Sequence, residues 1–332
     1  MISGFYIYMV LNDKYQNTQT HYKGRFARIF STYWLVLLLI IVVNLIVWKN
    51  FGPIEQVLRS DLNWMTKLLL VFFNLFILGS ESSFFFYENS SGGLNPTANF
   101  SLAGGDLYNY LAITQVWTLS LEILFYILAP FFIRSRRRIV LVLTMSIAVR
   151  IVTYSMFSSA DPWDYRFVPS EFSLFCFGAL LYPVYMHENT VKIVDKYHEI
   201  CKSFRVNTYF IFILILVVHL QIAVVINEIF GQKLYFSLQL LPINRLFLLG
   251  SLIYIIPLAF SLTKQNSFDR MLGEYSFILY LVHLGVATLY LFVFQEIDFV
   301  NILIFSLMAS ALIYPLSSRL EKKCRLLLIA RN

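Results

Sequence analysis

The chain has 332 residues, of which 58% are hydrophobic and 14% are charged, and its formal net charge is +7. An average soluble domain is roughly 25% charged, so this much apolar surface cannot be hidden in one water-soluble core. The composition predicts an all-α, polytopic membrane protein embedded in a lipid bilayer, because the apolar runs are too long and continuous for the alternating strands of a membrane β-barrel. The positive charge indicates basic loops at an anionic membrane surface, with no nucleic-acid partner.

Metal and cofactor chemistry has little support in the sequence. The three cysteines, Cys176, Cys201 and Cys324, are widely spaced, which indicates neither a disulfide framework nor a metal site. The sequence also has no CxxC, HExxH or P-loop motif. We therefore expect no bound metal and no tightly bound cofactor.

Taken in chain order, the apolar runs predict a single membrane domain over residues 1–332, with about nine complete or partial spans. The run 67–79 is too short for a full crossing and is predicted to be re-entrant or interfacial. The runs counted as spans are 1–12, 29–48, 110–133, 139–157, 171–186, 208–226, 246–263, 274–295 and 300–318.

Most of the 26 Lys and Arg residues fall between these runs, in segments predicted to be loops. They cluster in residues 13–28, 134–138, 187–207 and 264–273 and in a basic tail, 319–332. Because cytoplasmic loops carry an excess of Lys and Arg, these segments and the C-terminus are expected in the cytoplasm. The expected location is the inner or plasma membrane of the cell.

One apolar run, Trp117–Pro130, contains a single carboxylate, Glu122. If the run is helical, Thr118, Glu122 and Tyr126 fall at i, i+4 and i+8 and share one stripe. An ionisable residue at membrane depth is a functional hypothesis by default. The alternative, an interhelical hydrogen bond that only locks the bundle, is equally open for Glu122.

Three other ionisable residues lie in apolar runs: Arg150, His219 and His283. His283 belongs to a second polar stripe with Ser276 and Tyr280, which either lines a substrate path or packs as a hydrogen-bonded cluster. For Arg150 and His219 the sequence favours the structural interpretation, and neither is assigned a role.

Trp117-Thr-Leu-Ser120-Leu-Glu122-Ile-Leu-Phe-Tyr126, followed by Pro130, resembles a signature of the acyltransferase-3 family of integral-membrane O-acyltransferases. Further segments resemble other motifs of that family, in the same order, so that the resemblance runs from Ser3 to about Arg325. They are Ser3-Gly4-Phe5, Arg25-Phe-Ala-Arg28, Phe175-Cys-Phe-Gly178 and Leu272-Gly-Glu-Tyr-Ser276-Phe-Ile-Leu-Tyr-Leu-Val-His283.

The resemblance implies a bundle of about ten spans in an intact family member. It also implies transfer of an acetyl or other short acyl group from acyl-CoA, with acetyl-CoA as co-substrate, to a hydroxyl of a cell-surface or exported polysaccharide. Arg25 and Arg28 are expected to hold the CoA phosphates, because guanidinium forks match phosphate geometry. Glu122 and His283 are the catalytic candidates. A hydroxyl nucleophile needs a general base, for which histidine is suited, and Glu122 is expected to orient that histidine or to serve as a hydrogen-bond anchor. The remaining motif or substrate-path candidates are Ser3, Gly4, Phe5, Trp117, Ser120, Tyr126 and Ser276.

The chain departs from the family pattern in two places. Ser31 stands where proline is usual, and Met1 immediately precedes the Ser3-Gly4-Phe5 motif that closes the family's second helix. The family's first helix, which carries an arginine and the histidine thought to act in acyl transfer, is therefore expected to be missing. Two alternatives stay open: a transporter or flippase for a lipid-linked glycan, and an inactive remnant. Inverted repeats or paired broken helices would favour transport, and neither is evident.

Overall fold

The computed structural model describes residues 1–14, 17–104, 106–157, 161–163 and 165–203, a few single positions between 213 and 221, and residues 243–329. Most of the predicted span 208–226, including His219, lies outside the described residues. The same is true of most of the segment 227–245.

The described chain is predominantly helical, with one short hairpin of strands, which confirms the all-α prediction. Its helices are α1 (Ile2–Met9), α2 (Thr18–Val47), α3 (Pro53–Arg59), α4 (Trp64–Phe76), α5 (Phe100–Ala103), α6 (Trp117–Phe132), α7 (Arg136–Phe157), α8 (Val168–Tyr185), α9 (Glu188–Ser203), α10 (Ile243–Thr263), α11 (Ser267–Phe294) and α12 (Phe299–Ile329). Within the described ranges, five helices are long and apolar enough to cross a membrane: α2, α6 with its preceding turn, α7, α11 and α12. The chain is therefore a helical membrane bundle, whereas the expected count of nine spans is not confirmed.

Residues 13–28 are not the loop that their polarity predicted. Helix α2 begins at Thr18, because the side chain of Asn17 accepts a hydrogen bond from the Gln19 backbone N–H (2.8 Å) and caps the first turn. Arg25 and Arg28 consequently lie about two turns or more inside the helix. The free amides of the α2 N-terminus, which also favour anions, are too far along the helix to assist these two arginines.

The other predicted basic segments are largely helical too. Within the predicted segment 187–207, Glu188–Ser203 form α9, and residues 204–207 lie outside the described chain. Helix α11 starts at Ser267, within the predicted turn 264–273, and is capped by Asn266. The tail 319–332 continues α12 as far as Ile329, with an Arg325–Glu321 ion pair (2.7 Å) along the helix. Lys, Arg and Glu are good helix formers, so a charged segment next to an apolar helix extends it readily.

Helix α4 has the short length that its sequence predicted. Its 13 residues extend about 20 Å, less than the roughly 30 Å hydrocarbon core of a bilayer. The backbone leaves the helix through Ile77 and Gly79, both with positive φ (68° and 85°). A re-entrant or interfacial position for this helix stays a prediction.

The described part of the segment between α4 and α6 contains regular structure and is not a plain loop. It contains an antiparallel hairpin of β1 (Phe86–Glu88) and β2 (Leu94–Pro96). The Arg166 guanidinium carbon lies over the rings of Phe84 (3.9 Å) and Trp117 (4.4 Å), while its Nε contacts Asp161 (2.7 Å). This stacking fixes the segment over the first turn of α6.

Helix α1 crosses α8 at two glycines. A Cβ built on Gly4 would lie 1.9 Å from the carbonyl oxygen of Phe175, and one on Gly178 would lie 1.9 Å from that of Met1. Small residues allow such close backbone contact between membrane helices. Next to this crossing, Phe5 is fully buried against Tyr182. The Ser3-Gly4-Phe5 motif is therefore a packing element of the bundle.

We expect Gly4→Ala to destabilise the protein by about 1–3 kcal/mol, since the added methyl group must force two backbones apart. Gly273→Ala is the matched control, because a Cβ at Gly273 has no neighbour within 4 Å. The control should be neutral or slightly stabilising, as alanine favours helix. Thermal unfolding in detergent measures both, and equal stability of the two variants would contradict the close crossing.

Candidate functional site

The predicted stripe on α6 is present, and each of its members contacts a different helix. Helix α6 follows a 3₁₀ turn, Thr114–Val116, and contains no helix breaker before Pro130. Thr118 contacts α11, Glu122 contacts α1, and Tyr126 contacts α2. We call these three residues the polar track; along the helix axis it extends about 12 Å.

Glu122 forms the centre of the polar track. Its Oε1 accepts a hydrogen bond from the Ser3 hydroxyl (2.5 Å) and another from the Tyr126 hydroxyl. The side chain is half-buried, and a carboxylate in such a position needs donors to offset its lost hydration. The structure thus brings together three of the predicted site residues.

At one end of the polar track, Tyr126 packs against α2. The Arg25 guanidinium carbon lies 4.7 Å from the centre of the Tyr126 ring, a cation–π geometry. The His21 ring, one turn before Arg25, is 6.4 Å from the same ring. We call this region the arginine end.

His21 is a site residue that sequence reasoning missed. It is fully buried beside Tyr126 of α6. His21, Arg25 and Arg28 are spaced i, i+4 and i+7, which places them on one face of α2. That signal was readable from the sequence, but interpreting 13–28 as a loop concealed it.

At the other end, α6 is clamped to α11. The Tyr280 hydroxyl donates to the Gln115 carbonyl and lies 2.5 Å from the Thr118 hydroxyl. Because Tyr280 has one hydroxyl hydrogen, Thr118 must be the donor to Tyr280. The Gln115 side-chain amide donates in turn to the Tyr280 (2.9 Å) and Leu281 (3.1 Å) carbonyls.

His283 lies one turn beyond this clamp on α11. Its Nδ1 is 2.8 Å from the Tyr280 carbonyl oxygen. A carbonyl only accepts hydrogen bonds, so Nδ1 carries the hydrogen in this contact. In the neutral ring Nε2 then keeps its lone pair, which is the arrangement that a general base requires.

Arg28 and Ser276 do not join the polar track. Arg28 is exposed and lines a small cavity with Glu274 and Glu321, so its surroundings differ from those of Arg25. Ser276 is also exposed, and its hydroxyl donates to the Gly273 carbonyl of its own helix (3.0 Å). Their assigned roles stay predictions.

Ser120 and Trp117 anchor the segment that precedes α6. The Ser120 hydroxyl is buried and accepts a hydrogen bond from the Gly79 N–H (2.8 Å), while Trp117 packs against Arg166.

Elsewhere, Arg150 donates to the Glu171 carboxylate and to the Ser170 carbonyl, both at 3.0 Å, and links α7 to α8. This contact agrees with the structural interpretation of Arg150. Within the described ranges, no group of three or more His, Cys, Asp or Glu side chains could hold a metal ion.

We expect Tyr280→Phe to lower the stability of the bundle by about 1 kcal/mol, because interhelical hydrogen bonds in membranes are worth roughly that much. The matched control is Ser276→Ala, which removes a hydroxyl from the same helix one turn earlier and should change stability by less than about 0.5 kcal/mol. Thermal unfolding in detergent compares the two. A larger loss for the Ser276 variant would show that the clamp is misassigned.

The comparison with known protein families agrees with this architecture. Residues 1–317 match the family model described as an acyltransferase domain, which covers nearly the whole chain. No curated protein and no solved structure matches the chain. A helical membrane bundle with this match over almost all its length belongs to the acyltransferase-3 family and is a membrane acyltransferase.

Proposed function

We propose that the protein transfers an acetyl or other short acyl group from acyl-CoA, most simply acetyl-CoA, to a hydroxyl of a cell-surface or exported polysaccharide. The bilayer would be the cell's inner or plasma membrane, with the C-terminus in the cytoplasm. The observation that supports this best is the polar track. Arg25 packs on Tyr126 at one end of the track, Tyr280 contacts Thr118 at the other end, and His283 lies one turn beyond Tyr280 on α11. Acyl transfer needs these two chemistries: anion binding for the donor and a base for the acceptor.

The donor would bind at the arginine end. Arg25 is held against the Tyr126 ring, so its guanidinium is already oriented, and a planar fork suits the phosphates of CoA. Arg28 would contribute a second guanidinium after leaving the neighbourhood of Glu274 and Glu321. His21, one turn before Arg25, packs against the same Tyr126 ring and so helps to hold that ring beneath Arg25.

The acceptor would react near His283. Nε2 takes the proton of the acceptor hydroxyl while the hydroxyl oxygen attacks the thioester carbonyl carbon, which gives a tetrahedral intermediate. The intermediate collapses as the carbon–sulfur bond breaks, and the departing sulfur takes the proton from the imidazolium. The products are the ester and CoA thiol, and His283 returns to its neutral form.

Glu122 would act as a positioning residue at the centre of the polar track. Its carboxylate accepts hydrogen bonds from the hydroxyls of Ser3 on α1 and Tyr126 on α6. These bonds fix Ser3 and keep the Tyr126 ring beneath Arg25. Of the two roles considered from sequence, orienting acid or hydrogen-bond anchor, these contacts support the anchor.

Arg25→Ala is expected to raise the KM for acetyl-CoA about tenfold or more, because it removes a charge-assisted contact to phosphate. Arg25→Lys should recover part of the loss, since the charge remains without the fork. The assay is transfer of labelled acetyl from acetyl-CoA to membrane glycan in proteoliposomes. Arg137→Ala, an exposed arginine at the start of α7, serves as control.

Movement of a lipid-linked glycan across the vesicle, without any transfer of label, would favour the transporter alternative. Transfer that is indifferent to Arg25→Ala would contradict the donor site.

For His283→Gln we expect kcat to fall about 10²–10⁴-fold with little change in the KM for acetyl-CoA, because a base acts in the chemical step. The dependence of kcat on pH should also lose its acidic limb. His21→Gln should instead change the KM. If His21→Gln removes turnover and His283→Gln does not, the base lies at the arginine end and the assignment to His283 is wrong.

A further inference from the structure

A cavity of about 500 Å³ opens between the ordered segment after α4 and the turn before α8. Its walls are mainly aromatic, and its polar groups are few. The lining residues include the polar Glu81, Ser82 and Thr97 and the aromatic Phe85, Phe157 and Trp163. Ligand pockets have this size and character: a largely apolar surface with a small number of polar groups that fix orientation.

Glu81 has an arrangement that packing alone does not explain. The side chain is only 8% exposed, and its Oε2 has no hydrogen-bond partner among the described residues. Burial raises the pKa of Glu81, although a hydrogen bond with the Ser120 hydroxyl partly opposes the shift. A buried carboxylate oxygen without a donor destabilises the fold, so a ligand that supplies a donor would stabilise it.

The aromatic wall is rigid. The rings of Trp163 and Phe157 stack at 4.0 Å between centres, and Phe85 meets Trp163 edge-on at 5.0 Å. The indole N–H of Trp163 already donates to the Ala98 carbonyl (2.8 Å), so the ring is held in place. Flat apolar walls beside a carboxylate complement a sugar ring, which has a C–H face and an edge of hydroxyl donors.

The position of the cavity agrees with an acceptor site. Glu81 contacts Ser120 of α6, and Trp117 at the start of α6 packs on Phe84. The cavity therefore adjoins the Thr118 end of α6, and the arginine end lies farther along the same helix.

We propose that this cavity binds one sugar ring of the acceptor glycan, with Glu81 accepting hydrogen bonds from its hydroxyls and the aromatic wall packing on its C–H face. This inference rests on the proposed function, because it assigns the acceptor of that reaction to a site.

The test measures binding without any acyl donor. The protein in lipid nanodiscs is titrated with methyl glycosides of glucose, galactose, rhamnose and N-acetylglucosamine, and saturation-transfer NMR reports binding. At least one glycoside should bind saturably, and Glu81→Gln should weaken its binding about tenfold or more, because glutamine is uncharged and replaces one accepting oxygen with a donor. Glu88→Gln makes the same change in β1, outside the cavity lining, and should bind as the wild type does.

A stability measurement separates a binding role from a structural one. Glu81→Gln should melt at or above the wild-type temperature, because it removes a buried charge with an unpaired oxygen. A lower melting temperature would identify Glu81 as a structural residue and overturn the proposal.

Three further results would also overturn the proposal. The first is no saturable glycoside binding, and the second is unchanged binding in Glu81→Gln. The third is displacement of the glycosides by a long-chain alcohol in both the wild type and Glu81→Gln. The last would identify the cavity as a site for an alkyl chain. Glycoside binding without acetyl transfer would contradict the proposed reaction alone, whereas acetyl transfer without glycoside binding would contradict this site alone.

Discussion

A carboxylate inside an apolar bundle must be satisfied by donors from the protein, and the arrangement around α6 follows from that requirement. Glu122 meets it with two hydroxyls, one from Ser3 on α1 and one from Tyr126 on its own helix. The first contact links α1 to α6, while Gly4 lets the backbone of α1 lie in close contact with that of α8. The second fixes the Tyr126 ring, against which Arg25 packs. One polar group thus positions three helices.

The two ends of α6 differ in chemistry because different elements pack on them. At the Thr118 end, Tyr280 and Gln115 join α6 to α11 through hydroxyl and amide hydrogen bonds, and the preceding segment is held by Arg166 and its aromatic neighbours. At the Tyr126 end, the neighbours are the cationic and imidazole side chains of α2. Such a division suits the proposed reaction, which takes an anionic donor at one end and a neutral acceptor at the other.

The sequence specified what is local and left open what depends on distant contacts. Helical spacing predicted that Thr118, Glu122 and Tyr126 share a stripe, and the family motifs named Ser3 and His283 before any contact was visible. The start of α2 was also local, since Asn17 is a capping residue, and interpreting 13–28 as a loop was the error that concealed His21. The burial of Glu81 was not readable, because a carboxylate in a polar segment is ordinarily solvated, and only the folding of that segment onto α6 encloses it.

Two acidic side chains, Glu122 of α6 and Glu81 in the segment packed on α6, lie on opposite sides of this helix. Ser120 lies two residues after Thr118, so it faces away from the polar track and towards Glu81. On the track side, the contacting oxygen of Glu122 receives two hydroxyl donors from the protein. On the opposite side, one oxygen of Glu81 receives none within the described chain, although it is as deeply buried as the surrounding core. The protein's own hydroxyls therefore hold Glu122 in place, whereas the unpartnered oxygen of Glu81 is the group that the proposed sugar site uses.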